Sequence, residues 1–225
     1  MSSTLSSDGS APPVALITPV FRRRWIGLLL LAVLLAGVAG ALLHRPLLRV
    51  FAQAWVIEAQ AEQADAIVMS TSVRDHMFEQ CLAWYRSGHA TRLVLTDSET
   101  RPTDRAGITE PARAVRLRQL REAGVPEKSV FLVGHEITCL HEEFTALRDW
   151  AQSNHVQRVL LPTDPFVTRR VEWLGRRLLQ PAGVLARVVP VDVPDYTVAE
   201  WWRKEAGLVA FENEWVLLPY YWIRY

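Results

Sequence analysis

The feature that most constrains this 225-residue chain is an uncharged apolar run from Trp25 to Leu43, which follows the arginine triplet 22–24. At a rise of ~1.5 Å per residue, a helix over this run matches the ~30 Å hydrocarbon core of a bilayer. Because the triplet is more basic than the flank 44–49, the positive-inside rule predicts a cytoplasmic N-terminus and an extracytoplasmic remainder. The sequence therefore predicts a single-pass protein of the plasma (inner) membrane.

The small residues Ala39–Ala41 leave a cleaved signal peptide as the alternative. A signal core is usually ~7–15 residues long, and the longer run observed here favours a retained anchor. The segment 1–21 is rich in Ser and Pro and predicts a disordered cytoplasmic tail. We assign 22–45 to the anchor with its basic flank and 46–225 to one α/β domain, which is long enough for a single core.

The charge balance gives no indication of nucleic-acid binding, because 25 Lys and Arg face 24 Asp and Glu. Cys81 and Cys139 lie in no CxxC or metal-ligand spacing, so two buried free thiols are favoured while a disulfide remains open. His135 and His141 are likewise not at a recognised ligand spacing. We predict no metal site.

After the anchor, short apolar runs alternate with longer amphipathic segments. This pattern predicts a three-layer α/β/α Rossmann-like fold with a parallel sheet of about five strands. The predicted strands are 65–70, 92–96, 129–133, 158–162 and 186–190. The predicted helices lie near 73–87, 110–123, 140–154 and 166–179.

Such sheets bind ligands beyond the carboxyl ends of their strands, where loops and helix N-termini meet. The predicted loops carry hydroxyl, carboxylate and guanidinium groups, and the candidate ligand-binding residues are Ser70, Thr71, Ser72, Thr96, Asp97, Thr163, Arg169 and Arg170. Asp97, Glu110 and Asp164 are the candidate acids or bases. Turn and helix N-cap preferences explain the same polar residues without a ligand.

Arg170 is the foremost candidate, because in the first turn of a helix its planar fork suits bidentate binding of a phosphate. Glu172, Arg176 and Arg177 follow on the same helix and predict the alternative, a solvent-facing helix with internal ion pairs.

Several segments together resemble the YdcF/SanA/ElyC family in order and spacing, over about residues 64–225. The segments that carry this resemblance are Asp65–Val68, Leu93–Thr96, Gly124–Pro126, Glu142–Glu143, Val159–Arg170 and Glu214–Tyr225. The resemblance implies a Rossmann-like domain and a role in building or protecting the cell wall and surface polysaccharides. The predicted partners are the membrane, through the one apolar span, and a lipid-linked glycan or envelope proteins.

The chain also departs from that family. Ser70–Ser72 replaces the glycine-rich loop after the first strand, and the motif His-x-x-Arg reads Val167 to Arg170, which keeps the arginine without the histidine. Two hypotheses follow: an envelope enzyme acting on a phosphorylated or lipid-linked glycan, or a non-catalytic, membrane-tethered binding or assembly protein. The cofactor stays unassigned, although no nicotinamide fingerprint G-x-G-x-x-G follows the first strand.

The segment Tyr196–Tyr225 is rich in Trp and Tyr with interspersed basic residues, a composition typical of membrane-interface belts. One interpretation places it on the bilayer. The other, which we favour, is a closing helix that packs its aromatic side chains on the sheet or against Trp55.

Overall fold

A computed structural model describes residues 19–225, with side chains from Trp25 onward. The predicted tail, 1–21, lies outside these residues except for 19–21, which belong to the first helix, α1 (Pro19–Trp55). Among the described residues, one helical stretch, Trp25–Trp55, is long and apolar enough to cross a membrane. The chain divides into two compact units after Leu47.

The second unit contains a fully parallel five-stranded sheet in the order β3-β2-β1-β4-β5. Its strands are β1 (Ala66–Ser70), β2 (Arg92–Ser98), β3 (Val130–Ile137), β4 (Arg158–Thr163) and β5 (Leu185–Pro190). The central strands β1, β2 and β4 are short apolar runs buried on both faces, as the sequence pattern predicted. The predicted Rossmann-like α/β fold is confirmed.

Helices connect the strands and cover both faces of the sheet. They are α2 (Asp75–Arg86), α3 (Pro102–Arg105), α4 (Ala112–Glu122), α5 (Leu140–Ser153), α6 (Thr168–Leu174) and α7 (Glu205–Arg224). A π-helical turn, Gly175–Leu179, extends α6. The short 3-10 turns are Glu127–Ser129, Pro165–Val167, Gln180–Ala182 and Val198–Arg203.

The two sides of the sheet have separate cores, because successive strand residues point to opposite faces. On one face, Val68 packs in a cluster with residues of α5 and α6, such as Leu147 and Leu174. On the other, Ile67 packs with residues of α2 and α4, such as Phe78 and Leu120. This alternation produces the three layers.

A third core joins the end of α1 to the C-terminal segment. Ala52, Trp201 and Phe211 are buried together, and Trp55 stacks on Trp215 with ring centroids 5.2 Å apart. The indole N–H of Trp55 also donates to the carbonyl of Phe166 at 2.9 Å. The favoured interpretation of the aromatic segment, packing against Trp55, is confirmed.

Both cysteines are free. Cys81 is buried on α2, and burial raises the pKa of its thiol to about 12, which keeps it protonated and unreactive. Cys139 is only partly buried, so the expectation of two buried thiols holds for Cys81 alone.

Candidate functional site

The sheet order places a topological switch point between β1 and β4, because the chain moves from β1 toward β2 on one side and later returns to the other side. Ligands of open α/β sheets bind at such a point, beyond the carboxyl ends of the strands. A cavity of about 270 Å³ lies there, and we call it the strand-end crevice. Its polar lining consists of Ser70, Ser72, Arg74, Glu143, Thr163 and Asp164, and its apolar lining includes Phe144, Leu161 and Val167.

The crevice brings together four of the residues predicted from the sequence. Ser70 ends β1 and Ser72 follows in the next loop, and their hydroxyl oxygens are 2.9 Å apart. Thr163 and Asp164 come from the end of β4. The parallel register aligns these two strand ends, so their polar groups line one cavity.

Glu143 is the crevice carboxyl that the sequence analysis did not assign to the site. It lies in the first turn of α5, and the hydroxyl of Thr96 donates to its Oε1 at 2.6 Å. Burial raises the pKa of Glu143, while the hydrogen bond from Thr96 and the positive charge of Arg170 oppose that shift. A carboxyl of this kind can hold a proton above the ordinary range and deliver it to a ligand. The pair Glu142–Glu143 was the available signal, but helix N-termini favour acids in any case.

Asp164 lines the crevice, where a guanidinium holds it and an imidazole lies nearby. Arg74 donates to its Oδ2 at 3.1 Å and to Asp195 at 2.9 Å. The Nε2 atom of His76 lies 4.0 Å from Asp164 Oδ1, is buried, and has no hydrogen-bond partner among the described residues. Arg74 and His76 were not predicted as site residues. Their signal was position: they begin the helix that follows the first strand.

The other two candidate acids do not line the crevice. Asp97 is buried at the end of β2, where Arg113 donates to it at 3.1 Å and His135 Nδ1 lies 3.6 Å away. Glu110 precedes α4 and accepts two hydrogen bonds from Arg118, at 2.6 and 2.7 Å. The structure therefore does not bring Asp97, Glu110 and Asp164 together.

Two predicted threonines are used inside the fold. Thr71 accepts a hydrogen bond from the backbone N–H of Ser98 at 3.0 Å, and its hydroxyl lies 2.8 Å from the Ser98 hydroxyl. Thr96 is buried and positions Glu143. Both threonines form hydrogen bonds within the fold and do not line the crevice.

Arg170 does not face a free anion site. Its Nε and Nη2 atoms donate to the two carboxylate oxygens of Glu214 at 2.9 and 2.6 Å, and the pair is buried. Burial disfavours the charge of Arg170, but the hydrogen bond and negative charge of Glu214 outweigh it and raise the guanidinium pKa. The fork predicted to grip a phosphate is thus already occupied by a carboxylate of α7. The alternative prediction holds for Arg176, which pairs with Glu172 at 2.6 Å.

Arg169 points to a different place from the crevice. It is exposed, its guanidinium lies 5.8 Å from the centroid of the Trp55 ring, and it donates to the carbonyl of Ala54. It lines an apolar groove formed by the last turns of α1 together with α6 and α7.

The chemistry of the crevice is that of hydroxyl recognition and proton transfer. Carboxyl and hydroxyl groups converge there beside apolar walls, and Arg74 is the guanidinium in its lining. Among the side chains described here, no three His, Cys, Asp or Glu groups come close enough to hold a metal ion. No protein-family model and no curated protein matches this chain.

Proposed function

We propose that this chain is a membrane-anchored cell-envelope biogenesis protein that binds a glycan-type ligand in the strand-end crevice. The anchor is the run Trp25–Leu43, the N-terminus is cytoplasmic, and the α/β domain lies on the extracytoplasmic side of the plasma membrane. The length and apolar character of α1 and the arginine triplet 22–24 support this arrangement. The resemblance to the YdcF/SanA/ElyC family supports the envelope role.

The observation that carries the ligand class is the convergence of Glu143, Asp164 and Arg74 on one crevice at the switch point. Carboxylates and hydroxyls bind sugar hydroxyl groups through paired hydrogen bonds, and the apolar walls suit the C–H faces of a sugar ring. Arg74 would bind a phosphate on the same ligand. Arg170 would not, because its guanidinium already binds the carboxylate of Glu214.

As an enzyme, the site supports acid–base catalysis of transfer or hydrolysis on a glycan. Glu143, whose pKa is raised, donates a proton to the departing oxygen. Asp164, which lines the crevice beside Arg74, accepts a proton from the attacking hydroxyl or water.

A second candidate is the non-catalytic binding or assembly protein. Three of the polar residues expected at an active site are instead used within the fold: Asp97 with Arg113, Arg170 with Glu214, and Thr71 with Ser98. A scaffold that uses these groups for stability retains a crevice for binding without requiring turnover.

Ligand binding tests the crevice. The full chain in detergent would be screened by thermal unfolding against nucleotide sugars, sugar phosphates and short cell-wall oligosaccharides. A ligand at ~100 times its Kd adds about 2.7 kcal/mol to stability. We expect Asp164→Asn and Arg74→Gln to lose this stabilisation, while Glu110→Gln, the matched control outside the crevice, keeps it. If no ligand in the screen stabilised the folded protein, the crevice would be refuted as the binding site.

Turnover separates the two candidates. For a ligand found in the screen, Glu143→Gln retains binding and loses product formation if the chain is an enzyme. Binding without product in the wild-type protein identifies the assembly protein. Protease protection of a C-terminal tag in intact and permeabilised cells tests the orientation independently, because an extracytoplasmic domain is cleaved without permeabilising the plasma membrane.

A further inference from the structure

The second unit contains another cavity, whose lining is more aromatic than that of the crevice. It has a volume of about 530 Å³, within the ~300–1,000 Å³ typical of small-molecule sites. Four tryptophan side chains contribute to its wall, and we call it the tryptophan groove: Trp55, Trp173, Trp215 and Trp222. Phe51 and Leu218 add further apolar surface.

The groove is continuous with an exposed apolar face of α7. Trp215 and Trp222 line the groove and remain 45% and 57% exposed. Next to them on the same helix, the side chains of Val216, Tyr220 and Ile223 are 70%, 49% and 88% exposed. Large contiguous apolar surfaces of this kind mark sites of protein or membrane contact.

One rim of the groove is basic. Arg169 and Arg176 face a single acid, Glu172, which pairs with Arg176 at 2.6 Å. Arg169 forms no ion pair within residues 25–225. It is exposed above the ring of Trp55 and donates one hydrogen bond to the carbonyl of Ala54, which leaves further N–H groups of its guanidinium for a ligand. Apolar walls with one guanidinium at the edge that has no carboxylate partner among residues 25–225 complement an amphiphile with an anionic head.

Chain connectivity brings the groove near the bilayer. Trp25–Leu43 is the proposed span, and Phe51 lines the groove. Only eight positions separate Leu43 from Phe51, and even a fully extended chain of that length spans no more than about 28 Å. The short connection makes a lipid of that membrane the class of ligand to test.

We propose that the tryptophan groove binds one phospholipid with an anionic headgroup, its acyl chain against the tryptophans and its phosphate at Arg169. This inference rests on the anchored arrangement proposed above. A tryptophan-rich wall supports it because indole rings combine apolar faces with a polar edge and favour the boundary between hydrocarbon and water. Arg169, which has no carboxylate partner among residues 25–225, supplies the preference for an anionic headgroup.

Native mass spectrometry of the full chain, extracted in mild detergent from nanodiscs that mix phosphatidylglycerol and phosphatidylcholine, tests this proposal. We expect one retained phospholipid per chain, with phosphatidylglycerol preferred. Ala54→Phe fills the groove and should abolish retention. Gln53→Phe adds the same ring to the neighbouring exposed residue, which does not line the groove, and should leave retention unchanged.

Headgroup recognition is tested by Arg169→Gln. Both lipids carry a phosphate, and the cationic choline of phosphatidylcholine sets them apart. Removing the charge of Arg169 removes its repulsion of choline and should reduce the preference for phosphatidylglycerol roughly fivefold, the equivalent of ~1 kcal/mol between charges ~4 Å apart in water. Arg177→Gln removes a nearby arginine that lies over Trp173 outside the groove lining and should keep the preference. Quenching of tryptophan fluorescence by phosphatidylglycerol brominated on its acyl chains should weaken in Ala54→Phe and not in Gln53→Phe.

Several results would overturn the proposal. Wild-type protein that retains no phospholipid, or equal retention and quenching in Ala54→Phe and Gln53→Phe, would show that the groove takes no lipid. A dimer that Ala54→Phe converts to a monomer would identify a second copy as the occupant. Resistance of each variant to alkaline carbonate extraction measures the anchor separately, so an anchored chain without groove lipid refutes this inference alone.

Discussion

The buried pair Arg170–Glu214 is expected to stabilise the domain, not to bind a ligand. Its bidentate hydrogen bonds measure 2.9 and 2.6 Å, and the two side chains are only 10% and 3% exposed. Removing one partner of such a pair leaves a buried charge without compensation and costs about 3–5 kcal/mol. For a domain of this size that corresponds to a fall of roughly 6–20 °C in Tm.

Thermal unfolding of the full chain in detergent, followed by circular dichroism, measures this effect. Glu214→Gln should show most of the loss. The double variant Arg170→Met with Glu214→Leu should recover much of it, because replacing a buried pair by apolar side chains of similar size is often neutral. Arg118→Gln, which breaks an exposed pair with Glu110, should have a much smaller effect.

The result also bears on ligand binding. If Arg170 held a phosphate, Glu214→Gln would free the guanidinium and strengthen the response to phosphorylated ligands with little loss of stability. A Tm within about 2 °C of wild type for Glu214→Gln would refute the structural role. If the losses of Arg170→Met alone and Glu214→Leu alone added up in the double variant, the two side chains would not interact.

Three further perturbations have defined outcomes. Burial raises the pKa of Glu143 above its ordinary value of 4.5, so the folded protein keeps a proton that the unfolded chain has lost, and stability falls as pH rises from 4.5 through the folded pKa. Glu143→Gln should lack that fall in urea titrations at several pH values; an identical pH dependence in both proteins would contradict the assignment. Gly207→Ala should destabilise the domain by ~1–3 kcal/mol, because a Cβ there meets the backbone carbonyl of Trp201, and a neutral effect on the urea midpoint would contradict this. Trp55→Phe should cost ~1 kcal/mol through loss of the hydrogen bond to Phe166 in the same assay, and no change would indicate that this contact does not form in solution.

The strand-end crevice could be predicted in part. Ser70, Ser72, Thr163 and Asp164 line it because polar residues at the carboxyl ends of neighbouring parallel strands must meet at one edge of the sheet. Glu143 enters from a helix instead, and its pairing with Thr96 joins positions 47 residues apart. No local pattern distinguishes that carboxyl from an ordinary N-terminal helix acid.

The sequence by itself determined the apolar helix, the strands and the layered α/β fold, because these depend on the spacing of apolar side chains along a few consecutive residues. Tertiary structure decided which polar groups remain available to a ligand. The planar guanidinium of Arg170 suits a phosphate or a carboxylate equally well. Only the docking of α7 places the carboxylate of Glu214, 44 residues further along the chain, against it. The same docking leaves Arg169 exposed beside the tryptophan groove. Neighbouring arginines thus acquire opposite roles, since burial and partner choice depend on contacts between segments distant in sequence.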